Sequence, residues 1–329
     1  MKIKIGITTG DPAGIGPEVS LKAAYDLEVQ SLCTPILIGD GDFLRKTARE
    51  IGHPETYSVE GTSEKNVEKV NGFLIYNVAG SARGVPTGKA SAEGGKAASE
   101  YIRIGAQLAL ERKIGALVTA PICKESLQLA GVRHSGHTEF LASLSGVKEV
   151  GMLFYSHPLK IFLLTTHLSL KDAIGHVRKE EIVKKAKLLT EEYLRLFNEK
   201  PKIGICSLNP HAGEGGLFGE EENKEIIPAI EELRLLNIDV SGPYASDSIY
   251  ARAMKGEFDL VFALYHDQGL IPIKSLKLRA VNVTLGLPFV RTSPDHGTAF
   301  DIVGKDVADP CSMIEAIKLA AMLLHSRSI

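Results

Sequence analysis

Cysteine is scarce in this sequence: Cys33, Cys123, Cys206 and Cys311 stand far apart and form no C-x-x-C pair. That spacing excludes a zinc ribbon and a disulfide framework, and it fits a reducing compartment. A surplus of one charge is also missing. Lys and Arg total 38 against 40 Asp and Glu, a net charge of -2, so nothing attracts nucleic acid or anionic lipid broadly and any phosphate site must be local. No apolar run approaches the roughly 20 residues that cross a bilayer. "MKIKIGITTG" alternates straight into a strand-like run without the apolar core or cleavage site of a leader. The expectation is a cytoplasmic protein. Internal repeats, low-complexity tracts and Pro/Ser-rich linkers are absent too, so no clean domain boundary is marked.

What is present is a globular chain of 329 residues, 44% apolar and 24% charged, long enough for two domains with separate cores. Short β-branched runs recur at 3–10, 35–40, 114–121, 161–167, 203–211, 260–266 and 280–286, with helix-period segments between most of them. That alternation predicts an α/β protein with a substantially parallel sheet. The clearest helix is 178–200, where Ile182, Leu189, Tyr193 and Leu196 make one apolar face. Glu180 with Lys184 and Glu181 with Lys185 are spaced as (i, i+4) pairs on its wet side, a solvated face and not a binding patch.

Three of the apolar runs end in histidine: "IFLLTTH" in His167, "IGICSLNPH" in His211 and "LVFALYH" in His266. In a parallel sheet the C-terminal strand ends share one edge, where ligands bind, so the three imidazoles can converge on a divalent metal that keeps open positions. "NPHAGEGGLFG" adds five Gly or Ala positions after His211, which allow close backbone approach. His53, His157, His176 and His325 lack such a context and read as surface or structural residues.

Two glycine-rich loops fail their nucleotide tests. In "TTGDPAGIGPE" the position after Gly14 and Gly16 that a dinucleotide fingerprint needs as glycine is Val19, which leaves a helix start with Pro17 and Glu18. "RGVPTGKAS" has Arg83 where a P-loop needs its first glycine, so nucleotide hydrolysis is rejected. Anion capture is better supported elsewhere. "SGHTEFLA" sets His137 and Thr138 at an expected helix start, and Lys274 and Arg291 are each expected just past a strand-like run.

The blocks "GDPAGIGPEV", "GHTEFLA", "LNPHAGEGG", "YHDQGLIPIK" and "VNVTLGLPFVRTSPDHGTAFDI" together resemble the 4-hydroxythreonine-4-phosphate dehydrogenase family of vitamin B6 biosynthesis, in order and along essentially the whole chain. "GIGPEV" and "DHGTAFDIVGKDVADP" also resemble terminal motifs of isocitrate and isopropylmalate dehydrogenases. The resemblance implies two α/β domains with mixed, largely parallel sheets and an inter-domain cleft, drawn at 1–133 with 291–329 and at 134–290. It implies a homodimer with shared active sites. It assigns His167, His211 and His266 to one divalent cation (zinc, magnesium or cobalt), and His137, Thr138, Lys274, Asn282 and Arg291 to the phosphorylated substrate. The stretch from His296 through Gly297 and Thr298 to Asp301 would border NAD(P).

The implied reaction is oxidation of 4-phosphooxy-L-threonine at its 3-hydroxyl, followed by loss of carbon dioxide. Close relatives of the family take 4-phospho-D-threonate or D-erythronate instead. A proton acceptor is needed; Asp247, expected before a strand or at a helix N-cap, and Asp267, beside His266, are the candidates. Two rivals from other classes remain: a metal-dependent hydrolase of a small phosphorylated substrate, and a non-catalytic sugar-phosphate binding protein.

Overall fold

The structure, a computed structural model, describes residues 2–52, 60–61, 66–70, 72–134 and 136–326; His53 lies outside them. In chain order its strands are β1 (Lys4–Thr8), β2 (Thr34–Gly39), β3 (Glu60–Gly61), β4 (Val67–Val70), β5 (Phe73–Asn77), β6 (Ala116–Thr119), β7 (Gly151–Tyr155), β8 (Lys160–Leu163), β9 (Ile203–Cys206), β10 (Val240–Tyr244), β11 (Leu260–Ala263), β12 (Val281–Leu285) and β13 (Val290–Pro294). The chain forms two compact units, residues 1–148 with 287–328 and residues 149–286.

In the first unit β13, β6, β1, β2 and β5 run parallel, and β4 and β3 continue the sheet antiparallel. Ile5, Ile7, Leu37, Ile38, Leu117 and Val118 on these strands are fully buried, each contributing roughly 1.5–3 kcal/mol of apolar transfer. Helix Ala92–Leu110 covers the sheet. Ser91 caps it by accepting the Gly94 amide, and Gly95 lets its backbone close on Ser126, whose carbonyl would lie 1.9 Å from any Cβ.

The expected boundary at residue 133 falls instead at 148. The reason is local packing: helix His137–Leu144 rests on helix Ala92–Leu110, with Arg103 stacked over Phe140 at 5.2 Å. The apolar face of that short helix is therefore satisfied within the first unit, and His137 travels with it.

In the second unit β10, β9, β11 and β8 are parallel neighbours, while β7 and β12 are antiparallel. Helix Lys179–Phe197 buries Ile182, Leu189, Tyr193 and Leu196, the face that its periodicity predicts. Its lysines do not use the local spacing alone: Lys184 and Lys185 both reach Glu149, at 2.6 and 3.4 Å. Among the described residues no helix is long and apolar enough to cross a membrane.

Candidate functional site

The candidate residues fall in both units. In the second, β8 stops at Leu163, β9 at Cys206 and β11 at Ala263, so the three histidines lie beyond the strands in the segments that follow them. Because β9, β11 and β8 are adjacent and parallel, those segments leave the same edge. His266 opens helix His266–Ser275, and its ring centroid is 5.7 Å from that of His167. Metal–nitrogen bonds of about 2.0–2.1 Å put two imidazole centroids about 5 Å apart around one tetrahedral cation, so this pair fits a shared ligand after a small adjustment. The two rings line a cavity of about 280 Å³ with Thr166, Tyr265 and Asp267. Asp267 Oδ1 lies 2.7 Å from His266 Nδ1, which fixes the ring and leaves Nε2 for a ligand.

His211 is placed differently. It begins a left-handed turn in which His211, Ala212, Gly213, Glu214 and Gly215 all have positive φ, and its ring lies 6.2 Å from that of Phe218. Among the described residues no three His, Cys, Asp or Glu side chains are gathered to hold a metal ion. The structure thus brings two members of the expected trio together and leaves His211 on its own turn. Left-handed non-glycine residues are strained, and such strain persists only where surrounding groups impose it. Here the buried Glu222 pins the segment that enters the turn. Its Oε1 accepts the Leu208 and Asn209 amides, both at 2.8 Å, and its Oε2 accepts Asn209 Nδ2 at 2.9 Å.

The remaining second-unit candidates need correction. Lys274 does not follow a strand; it is exposed in the last turn of helix His266–Ser275. Asp247 neither precedes a strand nor caps a helix: it is exposed in the turn before helix Ile249–Met254, whose N-cap is Ser248. Asn282 lies on β12 and its Oδ1 is buried without a hydrogen-bond partner, an acceptor that a ligand could use.

In the first unit the anion candidates are built more tightly. His137 and Thr138 do open helix His137–Leu144, behind Gly136 as N-cap. Arg291 does not follow a strand but belongs to β13, where it is 2% exposed and donates through Nη2 to Thr119 Oγ1 at 2.6 Å. Burial pushes its guanidinium down to about 10, against a smaller upward pull from Glu139. His137 is held well below 6.5, first by burial and then by the charge of Arg291, so its imidazole is neutral at neutral pH. His137 Nε2 is buried and has no partner. A neutral imidazole, a buried cation and a helix start together form a receptor for an anion.

The stretch expected to border NAD(P) is the loop after β13. Thr298 accepts the Ile15 amide through its carbonyl at 2.9 Å, so this loop is stitched to the glycine-rich loop before helix Gly16–Tyr25. His296 Nε2 is buried without a partner, Gly297 and Asp301 are exposed, and Ala299 is left-handed at φ 42°. A cavity of about 290 Å³ lined by Pro12, Gly14, Phe43, Lys46 and Gly304 adjoins it within the same unit, room for part of a dinucleotide.

Residues passed over by the sequence reasoning are Thr119, Glu222, Gln268 and Asp11. Asp11 is fully buried; desolvation raises its carboxyl, while bonds from Ala13 and Ser126 pull the other way. Gln268 and Asp11 sit inside the quoted blocks "YHDQGLIPIK" and "GDPAGIGPEV", and that membership was the available signal.

A family model described as "Pyridoxal phosphate biosynthetic protein PdxA" matches residues 31–320. The chain is 43% identical over 327 residues to the D-threonate 4-phosphate dehydrogenase of Cupriavidus necator, covering 98% of each. It is 40% identical over 331 residues to the 4-hydroxythreonine-4-phosphate dehydrogenase of a Sulfurihydrogenibium species, covering 99% of each. The crystal structure of 4-hydroxythreonine-4-phosphate dehydrogenase from Klebsiella pneumoniae superposes with a TM-score of 0.88 at 35% identity, over 98% of each chain. The fold is accordingly that of the isocitrate/isopropylmalate dehydrogenase type, two α/β domains with mixed, mostly parallel sheets. With most of its length matched by that model and near-complete relatives well above 30% identity, the chain belongs to the PdxA family.

Proposed function

We propose that this protein is a cytoplasmic, NAD(P)-dependent dehydrogenase of a small 4-phosphorylated, threonine-like acid, serving pyridoxal phosphate biosynthesis. The substrate proposed first is 4-phosphooxy-L-threonine, oxidised at its 3-hydroxyl to 2-amino-3-oxo-4-phosphooxybutanoate, which loses carbon dioxide to give 3-amino-2-oxopropyl phosphate. The observation that carries this reading is the buried anion corner of His137 and Arg291, in a chain of this family.

In this scheme Arg291 and His137 Nε2 grip the phosphate, with Thr138, Lys274 and Asn282 as further contacts. The grip orients the carbon chain, so the 3-hydroxyl meets the nicotinamide in one pose and part of the barrier is removed by positioning. NAD(P) would lie along His296–Asp301. A divalent cation of zinc, magnesium or cobalt type would be held by His167 and His266 with His211 as third ligand, and when bound it supplies a Lewis acid that acidifies the alcohol. Asp267 holds the His266 tautomer, and Asp247 is the proposed acceptor of the hydroxyl proton. Exposed Leu168, Leu170, Leu217, Phe218 and Ile271, in the same unit as the histidines, support a homodimer.

A second reading, 4-phospho-D-threonate or D-erythronate as substrate, is favoured by the 43% identity to the D-threonate 4-phosphate enzyme. Parallel assays of NADH formation from 4-phosphooxy-L-threonine and 4-phospho-D-threonate, with and without chelator, test both. Chelator-sensitive NADH from one substrate is the expected result. Phosphate release without NAD reduction would make the protein a hydrolase instead.

A further inference from the structure

Beneath the histidine-bearing segments of the second unit lies a buried polar side chain to which the proposed reaction gives no task. Gln268, in helix His266–Ser275, is 7% exposed. Burying an amide costs about 1–3 kcal/mol unless its hydrogen bonds are replaced. Here they are. Its Oε1 accepts the Leu264 amide at 2.6 Å, and its Nε2 donates to the Ser207 carbonyl at 2.7 Å and to the Ser246 hydroxyl at 2.8 Å. Two further bonds widen the clasp. The Thr165 hydroxyl donates to the Leu264 carbonyl at 2.8 Å, and the Ser246 hydroxyl reaches the Ser207 carbonyl at 3.2 Å.

These partners are not scattered. Thr165 follows β8 and precedes His167; Ser207 follows β9 and leads to His211; Ser246 follows β10 beside Asp247; Leu264 follows β11 and leads to His266. The last paired strand residues precede all four. Past those ends two backbone bonds remain, from the Leu164 amide to the Ala263 carbonyl and from the Ser207 amide to the Tyr244 carbonyl, both at 2.8 Å; across all four segments the tie is made by side chains, one carboxamide with the Thr165 hydroxyl. An apolar residue of similar volume would fill the space and link none.

We propose that Gln268 is the positioning residue of this centre, fixing the mutual spacing of the segments that carry His167, His211 and His266. The proposal rests on the assignment of those histidines to a divalent cation. Its physical content is separate: the clasp acts on geometry beneath the rings and touches no reacting atom.

The test uses the full chain and cobalt(II), titrated and followed by its visible absorption bands. Gln268→Met keeps the volume and removes all three bonds; Thr165→Val removes only the tie to the His167 segment. Cobalt affinity should fall by about 10–100-fold in the first, the range seen when a ligand's supporting partner is lost, and by roughly tenfold in the second. The bands should shift in both. Parent-like cobalt affinity and spectrum in Gln268→Met overturn the positioning role. Should that variant fail to fold, an unchanged spectrum in Thr165→Val overturns it instead. If the parent and His211→Ala bind cobalt alike while Gln268→Met binds it weakly, the clasp stands and the assignment of His211 as a ligand falls.

Discussion

The two units handle polar chemistry in opposite ways. In the first, the anion-binding atoms are themselves withdrawn from water: Arg291 is buried on a strand, His137 is half-buried at a helix start with its Nε2 buried, and both groups are shifted downward by loss of water. In the second, His167 and His211 are exposed and His266 half-buried, whereas the polar groups supporting them, Glu222 and Gln268, lie in the interior. The difference follows from what each would bind. A phosphate brings its own charge to a preformed, partly dehydrated cation and so gains strength from a low local dielectric. A cation needs rings that can rotate to its bond lengths, and precision comes from the layer beneath.

That contrast predicts different failures. Replacing His266 by Ala deletes a ring from the exposed pair and should reduce NADH formation beyond the roughly 100-fold that loss of a supporting partner costs, acting mainly on kcat. Arg291→Met removes a buried cation and its phosphate contact together, which should cost about 3 kcal/mol, roughly 150-fold, mainly in KM. Initial-rate kinetics over substrate concentration separate the two patterns. The contrast breaks if both variants lose kcat alone.

Thr119→Val probes the first unit more finely. The hydroxyl accepts from Arg291 Nη2, so its loss leaves the guanidinium in place but one bond short. A hydrogen bond to a charged group contributes about 1.5–3 kcal/mol. The expected result is a rise of KM by about tenfold or more with kcat unchanged, the signature of lost uniform binding. Thr119→Ser should restore it.

Much of the framework was readable from residue patterns because burial writes itself as periodicity. The β-branched runs became strands, and Ile182, Leu189, Tyr193 and Leu196 mark the buried face of helix Lys179–Phe197. The histidines were legible as a set because adjacent parallel strands send their following segments to one edge. Their spacing was not. Where a chain goes after its ladder ends depends on distant side chains, and neither the left-handed turn at His211 nor the Gln268 clasp has a local signature. Arg291 and Lys274 were expected just past strands for the same reason: a charged residue after an apolar run reads as an exit. Burial of the Arg291 guanidinium inside β13 reverses that inference, and a helical register carries Lys274 instead.

The smallest effect tests whether burial in the first unit has a thermodynamic mark. The His137 imidazole is held below its ordinary value of 6.5, so on acidification the unfolded chain takes up the proton before the folded one. Stability linked to the neutral ring is complete above pH 6.5 and is lost as pH falls through that value toward the lower folded one, by at most about 1.4 kcal/mol per pH unit. His137→Asn cannot titrate and should flatten that slope, as read from denaturant midpoints between pH 7.5 and 5. A slope as steep in His137→Asn as in the parent would mean that withdrawal from water does not mark this ring, and the opposition between the units would lose its physical basis.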